Sequence, residues 1–337
     1  MAINILKQSL RSNTFRYVLR KNPFIKAHFI KLMHKIRNEH DETGGTSEAS
    51  YCYSVWMRHA SMIYEQLPDF RFNSVLEFGP GDTFGVGMAA LMGGAKRYVA
   101  IDAQSYVRIE LCRAHESKLK TMYSRKSTIP HGDNFADVRP VLKNYDFPQH
   151  ILEAYGVLKE SEWVDRFPAG LLSKKSLDSF QSGDGIIQYA APCLPNELGA
   201  HVQDSSICLC LSQAVMEHVQ DPQVAYTAMF EALRPGGVIS HQIDFKSHGT
   251  SYDWNGHWVY SERQWSIARD RKTFRDINRL SLSDHLKLMK EAGFKIWNVK
   301  RVEMHSDLSR SELHDSFKHL TDDDIVTSGA HVIAIKP

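Results

Sequence analysis

Eight residues of this sequence have the types and spacing to do chemistry, and they fall into two groups. Glu77, Gly79 and Gly81 lie together in "VLEFGPGDTFGVG" (75–87), and Asp102 follows Gly81 by 21 residues. Glycine lets a backbone approach a ligand closely at positions where a side chain would intrude. A dinucleotide fingerprint, G-x-G-x-x-G, would need glycine at 84, but Phe84 stands there and the third glycine comes one residue late, at Gly85. Glu77, two residues before the first glycine, would repel a pyrophosphate and suits a ligand carrying ammonium or sulfonium charge. Asp102 sits where a carboxylate can accept both hydroxyls of a ribose. An acid, a glycine turn and a second acid describe a site for a cationic nucleoside.

The second group is Glu217 and His218, in "SQAVMEHVQDP", with Asp244 and His248, in "HQIDFKSHGTSYDWNGHW". These residues could take the proton of a hydroxyl, and the imidazoles titrate nearest the working range. His248 is the preferred base, because it follows a strand on a loop; His218 either shares that role or positions Glu217. A helix opening at "MEHV" would turn Glu217 and His218 to different sides, one toward a ligand crevice and one toward neighbouring helices. Glu217, His218, Asp244 and His248 could also hold a divalent ion that polarises the hydroxyl, although no spacing among them is diagnostic of a metal motif.

The elements that must position these residues alternate. An aromatic helix spans 51–67, and strands are expected at 74–78, 97–102, 185–195, from 205, at 238–245, before 304 and at 329–337, with helical text between them. Such alternation from 74 onward predicts an α/β fold, a mostly parallel sheet covered by helices on both faces. Its ligand crevice lies at the carboxyl ends of the strands, where the first group falls.

Here the sequence resembles the class I S-adenosylmethionine-dependent methyltransferases, over about 51–337. "VLEFGPGDTFG" resembles their E/D-x-G-x-G-x-x-x-G loop and "YVAID" their second strand with its ribose-binding acid. "SQAVMEHVQDP", "LRPGGVI", "LMKEAGF" and "HVIAIKP" follow in the family's order. The resemblance implies a Rossmann-like seven-stranded sheet whose last strand runs antiparallel between strands five and six. It implies S-adenosylmethionine as cofactor, held by Glu77, Gly79, Gly81, Asp102 and Ala103, with Ser212 at the exit of strand four. Many members carry an acid after strand three that meets the adenine. "QYAAPCLP" has Ala190 and Ala191 there, which leaves backbone, Cys193 or Gln188 for that contact. In "YCYSVWMRHA", Arg58 is a candidate for the methionine carboxylate or for an acidic acceptor, and the helix is equally suited to be a packed cover.

The block from "HQID" through His257 and Trp258 to "NRL" resembles uncharacterised methyltransferases of bacterial polysaccharide gene clusters. That resemblance implies a sugar or other polyhydroxyl acceptor in polysaccharide or glycolipid biosynthesis. A natural-product methyltransferase and a non-catalytic adapter keeping the fold are the alternatives. The intact Glu77, Gly79, Gly81 and Asp102 speak against the adapter. Between strands two and three the chain spends ~80 residues, at about 107–185, and a connection that long reads as a lid or an acceptor-binding insertion.

Residues 1–50 form a separate arm and linker. Residues 1–38 carry nine Lys or Arg and no Asp or Glu, interleaved with apolar residues partly at helical spacing. A basic amphipathic helix can lie on anionic lipid, pack on its own domain or serve a homodimer. No module that reads nucleic acid accompanies the charge, so no sequence-specific nucleic-acid partner is expected. Five cysteines without a C-x-x-C pair read as reduced thiols of a cytoplasmic protein, peripheral on the membrane if the arm binds lipid.

Overall fold

The computed structural model describes residues 45–155, 186–251, 253–269 and 276–337. The basic arm and the second half of the insertion lie outside the described residues. Helix α1 (Ala49–Gln66) precedes β1 (Ser74–Phe78), α2 (Gly85–Met92), β2 (Arg97–Ile101), α3 (Ile109–Ser124) and α4 (Gln149–Ala154). Then come β3 (Ile187–Ala190), β4 (Ile207–Gln213), α5 (Pro222–Ala232), β5 (Leu233–Asp244) and α6 (Glu262–Ala268). The chain finishes with α7 (Leu282–Glu291), β6 (Lys295–Glu303), α8 (Asp322–Val326) and β7 (Thr327–Ile335).

The strands form one seven-stranded sheet in the order β3-β2-β1-β4-β5-β7-β6. Strands β1 to β5 pair in parallel, and β7 runs antiparallel to both β5 and β6. The Rossmann-like sheet and the inserted antiparallel last strand are as the sequence led us to expect. Every residue of β1 is buried, because helices cover both faces and leave no solvated side to alternate toward. Neighbouring β1 side chains accordingly enter different cores. Val75 joins α1 and α2, whereas Leu76 joins the layer containing α5 and α7. The register aligns Phe78 with Ile101 on one side and with Ser212 on the other, and Ser212 with His241. Gly79, Asp102, Ala214 and Phe245 therefore leave the sheet along one edge.

Several boundaries differ from the sequence reading. β3 is limited to Ile187–Ala190, and β5 begins at Leu233, before the Pro-Gly-Gly, with a register irregularity opposite Ile207 and Leu209. The larger difference follows β4. Residues 214–221 form a turn rather than the start of a helix, and α5 begins at Pro222 with Asp221 as its cap. Proline at the first helical position fixes that start, since it has no N–H to give to a preceding turn. All five cysteines are free and buried.

The first part of the insertion is fastened to α1. Tyr53 donates to the carbonyl of Ser127 (2.9 Å) and Ser54 to that of Pro130 (2.9 Å). It also reaches the far strands: Gln213 donates to the carbonyl of Arg139 at 3.2 Å, and Lys300 on β6 to that of Val141.

Candidate functional site

The first two strand exits bring the first group together. Gly79 has a φ of +70° and Gly81 of +66°, a left-handed region that favours glycine. A Cβ on Gly79 would fall 2.6 Å from Val215, so this turn packs against the exit of β4. Asp102, at the end of β2, accepts from the amide of Gln104 (3.3 Å), and the amides of Gly81 and Ala103 lie near enough to favour its ionised form. Burial outweighs those donors and raises its carboxyl from 3.8 to about 6. The backbone of Asp102 is clamped to the exit of β3, its N–H to Ala190 (3.1 Å) and its carbonyl accepting from Cys193 (2.8 Å). Ala190, Ala191 and Cys193 thus lie beside the acid as backbone neighbours.

Glu77 is 2% exposed, and the Tyr98 hydroxyl of β2 donates to it. Burial raises its carboxyl from 4.5 to about 8, against the lowering effect of that hydrogen bond. The fixed negative charge read from the sequence is therefore a carboxyl that holds its proton near neutrality. Gly85 and Gly87, the later glycines of the run, make room for protein. A Cβ on Gly87 would fall 2.2 Å from the Tyr98 ring, and one on Gly85 2.4 Å from the Cys52 sulfur.

Three residues named from the sequence are committed elsewhere. The Arg58 guanidinium is 1% exposed and donates to the carbonyls of Pro140 (2.7 Å) and Pro130 (3.0 Å), to Ser54 (3.0 Å) and to the Tyr145 hydroxyl (3.2 Å). Its planar fork is spent on turn carbonyls of the insertion, Ser54 and Tyr145. Gln188 accepts from Arg97 at 2.7 Å, toward the start of β2 rather than its end. The Ser212 hydroxyl is fully buried against His241 Nδ1 at 2.8 Å.

The second group converges. Glu217, His218 and His248 each present a ligand-type atom, all within 4.8 Å of one another. The divergence expected of a helix is absent because the segment is a turn, bracketed by Asn278. That side chain donates to the carbonyls of Met216 (2.8 Å) and Val219 (2.9 Å), and its own N–H reaches the carbonyl of Glu217 (2.7 Å). Asn278 opens the "NRL" run, and Arg279 beside it is buried against the carbonyls of Tyr260 (2.8 Å) and His257 (3.3 Å). Both oxygens of Glu217 are buried without a hydrogen-bond partner; burial, then Asp244, pushes its carboxyl well above the usual range, against the lowering effect of the nearby Glu217 and Asp244 amides. His218 is lowered to about 4, chiefly by burial. His248 is lowered by burial and opposed by Asp244, whose Oδ2 lies 3.8 Å from its Nε2. Asp244 itself stands outside the trio and holds Lys246 at 3.3 Å.

The solved structures to which this chain is similar are methyltransferases. One is a phosphoethanolamine N-methyltransferase of Haemonchus contortus with S-adenosylmethionine (14% identity, 84% of this chain and 53% of that one, TM-score 0.41). Another is an S-adenosylmethionine-dependent methyltransferase of Methanosarcina mazei (14%, 82% and 96%, TM-score 0.41). A third is the complex of the Haloferax volcanii Trm112 methyltransferase activator with a methyltransferase (13%, 89% and 100%, TM-score 0.42). Likenesses this distant carry no argument about the reaction of this chain. No protein-family model and no curated protein matches the sequence.

Sequence reasoning passed over Tyr51, at the start of α1. Its hydroxyl is held well above its ordinary range by burial and then by Cys52, Glu77 and Glu217, so it lies within electrostatic reach of both groups. Tyr98 and Asn278 were also missed. Only the "NRL" run carried a signal, and its meaning needed the fold. No helix among the described residues is long and apolar enough to cross a membrane.

Proposed function

We propose that this protein is an S-adenosylmethionine-dependent methyltransferase acting on a hydroxyl of a sugar or other polyhydroxylated acceptor. The observation that carries the cofactor is the meeting of the Gly79–Gly81 turn with Asp102 at adjacent strand ends, the Gly81 amide near enough to favour the ionised acid. The residues fit the group. Asp102 would accept the ribose hydroxyls, and Ala103, Ala190, Ala191 and Cys193 would flank the base through their backbone. Glu77 would give up its proton beside a cation. S-adenosylmethionine supplies an electrophilic methyl group on a sulfonium centre. The chain's own task is then to orient the acceptor and receive its proton, since placement supplies much of the rate in such a displacement. In the metal-free site, a neutral His248 imidazole backed by Asp244 is suited to that role, with Glu217 and His218 beside it.

The hydroxyl acceptor is supported by the strand-five block and by the clustering of Glu217, His218 and His248. The insertion is read as a lid, supported by its bonds from α1 to Gln213 and Lys300. The basic arm is read as a contact to anionic lipid. Calorimetry with S-adenosylmethionine tests the cofactor: a Kd of ~1 μM is expected, about −8 kcal/mol. Asp102→Ala should weaken it markedly, and unchanged affinity in that variant would reject the assignment. Labelled cofactor with a panel of glycans and nucleotide sugars tests the acceptor.

A further inference from the structure

Glu217 has both carboxylate oxygens buried without hydrogen-bond partners, and the residue is 2% exposed. Among the described residues no Lys or Arg forms an ion pair with it, and Lys246, whose charge it feels, is drawn to Asp244 (3.3 Å). A buried carboxylate needs a proton or a cation to compensate it. His218 is oriented to help supply the second. Its Nδ1 lies 3.2 Å from the carbonyl of Asp276, which can only accept, so Nδ1 carries the proton. The lone pair is then on Nε2, 4.0 Å from Glu217 Oε1. Fixing one imidazole nitrogen on a carbonyl so that the other faces an ion is the usual outer arrangement of a metal-binding histidine. His248 completes the trio from a backbone with φ of +45°, a conformation non-glycine residues adopt at a cost. Its ring meets that of His218 edge to face at 5.0 Å.

We propose that Glu217, His218 and His248 form a binding site for one divalent first-row transition-metal ion. Two imidazoles and one carboxylate favour such an ion over magnesium or calcium, which prefer all-oxygen sites. Ligands ~2.1 Å from one ion in a tetrahedral array lie roughly 3.4 Å apart, so a trio whose atoms lie within 4.8 Å of one another must draw in by up to about 1.4 Å. The Asn278 bracket holds the backbone of the Glu217–His218 turn, and rotation of the two side chains together with His248 would close that gap. Three protein ligands leave positions open for oxygen. Vicinal hydroxyls of an acceptor would suit them, a use that rests on the methyltransferase reading, whereas the metal site does not.

The test uses the full-length protein, stripped with chelator and titrated separately with Co(II), Zn(II) and Mg(II). Expected are one equivalent of Co(II), seen by its visible absorption and by elemental analysis, a similar response to Zn(II), and none to Mg(II). Glu217→Gln and His218→Ala should each lower Co(II) affinity by more than ~100-fold, above the range for outer partners. Calorimetry with S-adenosylmethionine on the same metal-free samples reports their folding, and Asp102→Ala should lose cofactor while keeping the metal. A variant that has lost the fold is replaced by His248→Gln under the same criterion. Absence of stoichiometric Co(II) binding, equal binding of Mg(II), or binding that survives all the trio substitutions would overturn the site. Metal binding without any cofactor binding would sustain it and sink the methyltransferase reading instead.

Discussion

The hydroxyl of Tyr98 donates to the carboxyl of Glu77, from β2 to β1, and Gly87 leaves the space that its ring occupies. One tyrosine thus fixes the acid at the head of the glycine turn. Tyr98→Phe removes the donor from a buried acceptor and should cost about 1–3 kcal/mol of stability. Gly87→Ala should cost a similar amount by overpacking, about 1–3 kcal/mol. Urea denaturation measures both, and a neutral result in both would mean the contact is dispensable.

Two carboxyls predict two inflections in cofactor affinity with pH. Asp102 is raised to about 6 and Glu77 to about 8, both chiefly by burial. Each favours the neutral form when the protein folds, so its contribution to stability is present at low pH and is lost as pH rises through the folded value. Cofactor binding runs the other way, because the ionised forms receive the ribose and the cation. Affinity for S-adenosylmethionine should rise from pH 5 through about 6 and again toward 8. Asp102→Asn should remove the lower inflection and Glu77→Gln the upper. Calorimetry across pH checks this, and a flat profile would contradict both roles.

Arg58 holds the insertion. Replacing it with Met should leave cofactor affinity within about twofold while removing hydrogen bonds to buried carbonyls, a loss of about 2–4 kcal/mol. Proteolysis within 125–145 should accelerate. A large fall in cofactor affinity would restore a direct ligand role for the guanidinium.

His248→Ala should lower methyl transfer by two orders of magnitude or more, the usual range for a lost general base, with cofactor affinity unchanged. His218→Ala should match it if the two histidines act as one unit. Single-turnover rates with labelled cofactor on the best acceptor separate the cases. Normal turnover in both variants would remove the pair from the reaction.

For the basic arm, the structure places the boundary before residue 45 rather than after residue 50. Thr46 accepts from the Asp82 amide through its hydroxyl (2.9 Å) and from the Thr83 hydroxyl through its carbonyl (2.7 Å), and Ser47 contacts His115 (2.9 Å). Residues 45–47 therefore brace the glycine turn and must stay. A chain beginning at Gly44 should keep its cofactor affinity and lose co-sedimentation with anionic vesicles, which the full-length protein should show at low salt. Equal partitioning of the two would leave the arm as a packing or dimer element.

What the sequence determined by itself was local. Apolar runs between glycine and proline breaks specified the seven strands and most helices. The turn at Gly79 and Gly81 and the acid ending β2 were legible because each is a short stretch with its own backbone requirement. Contacts between distant positions were not legible, since no nearby residue encodes them. "MEHV" has helical composition, yet Asn278, some 60 residues on, claims its carbonyls and Pro222 delays the helix, so Glu217 and His218 share one side. In sequence Arg58 suits a ligand and a packed cover equally, and its packing is decided only when the insertion folds back and presents its carbonyls. Gly85 fits the family's loop pattern in sequence, yet Cys52 fills the space above it, as the Tyr98 ring does above Gly87. Even the charge of Glu77 was settled by burial, because dielectric surroundings belong to the packed sheet and helices and to no single stretch of chain.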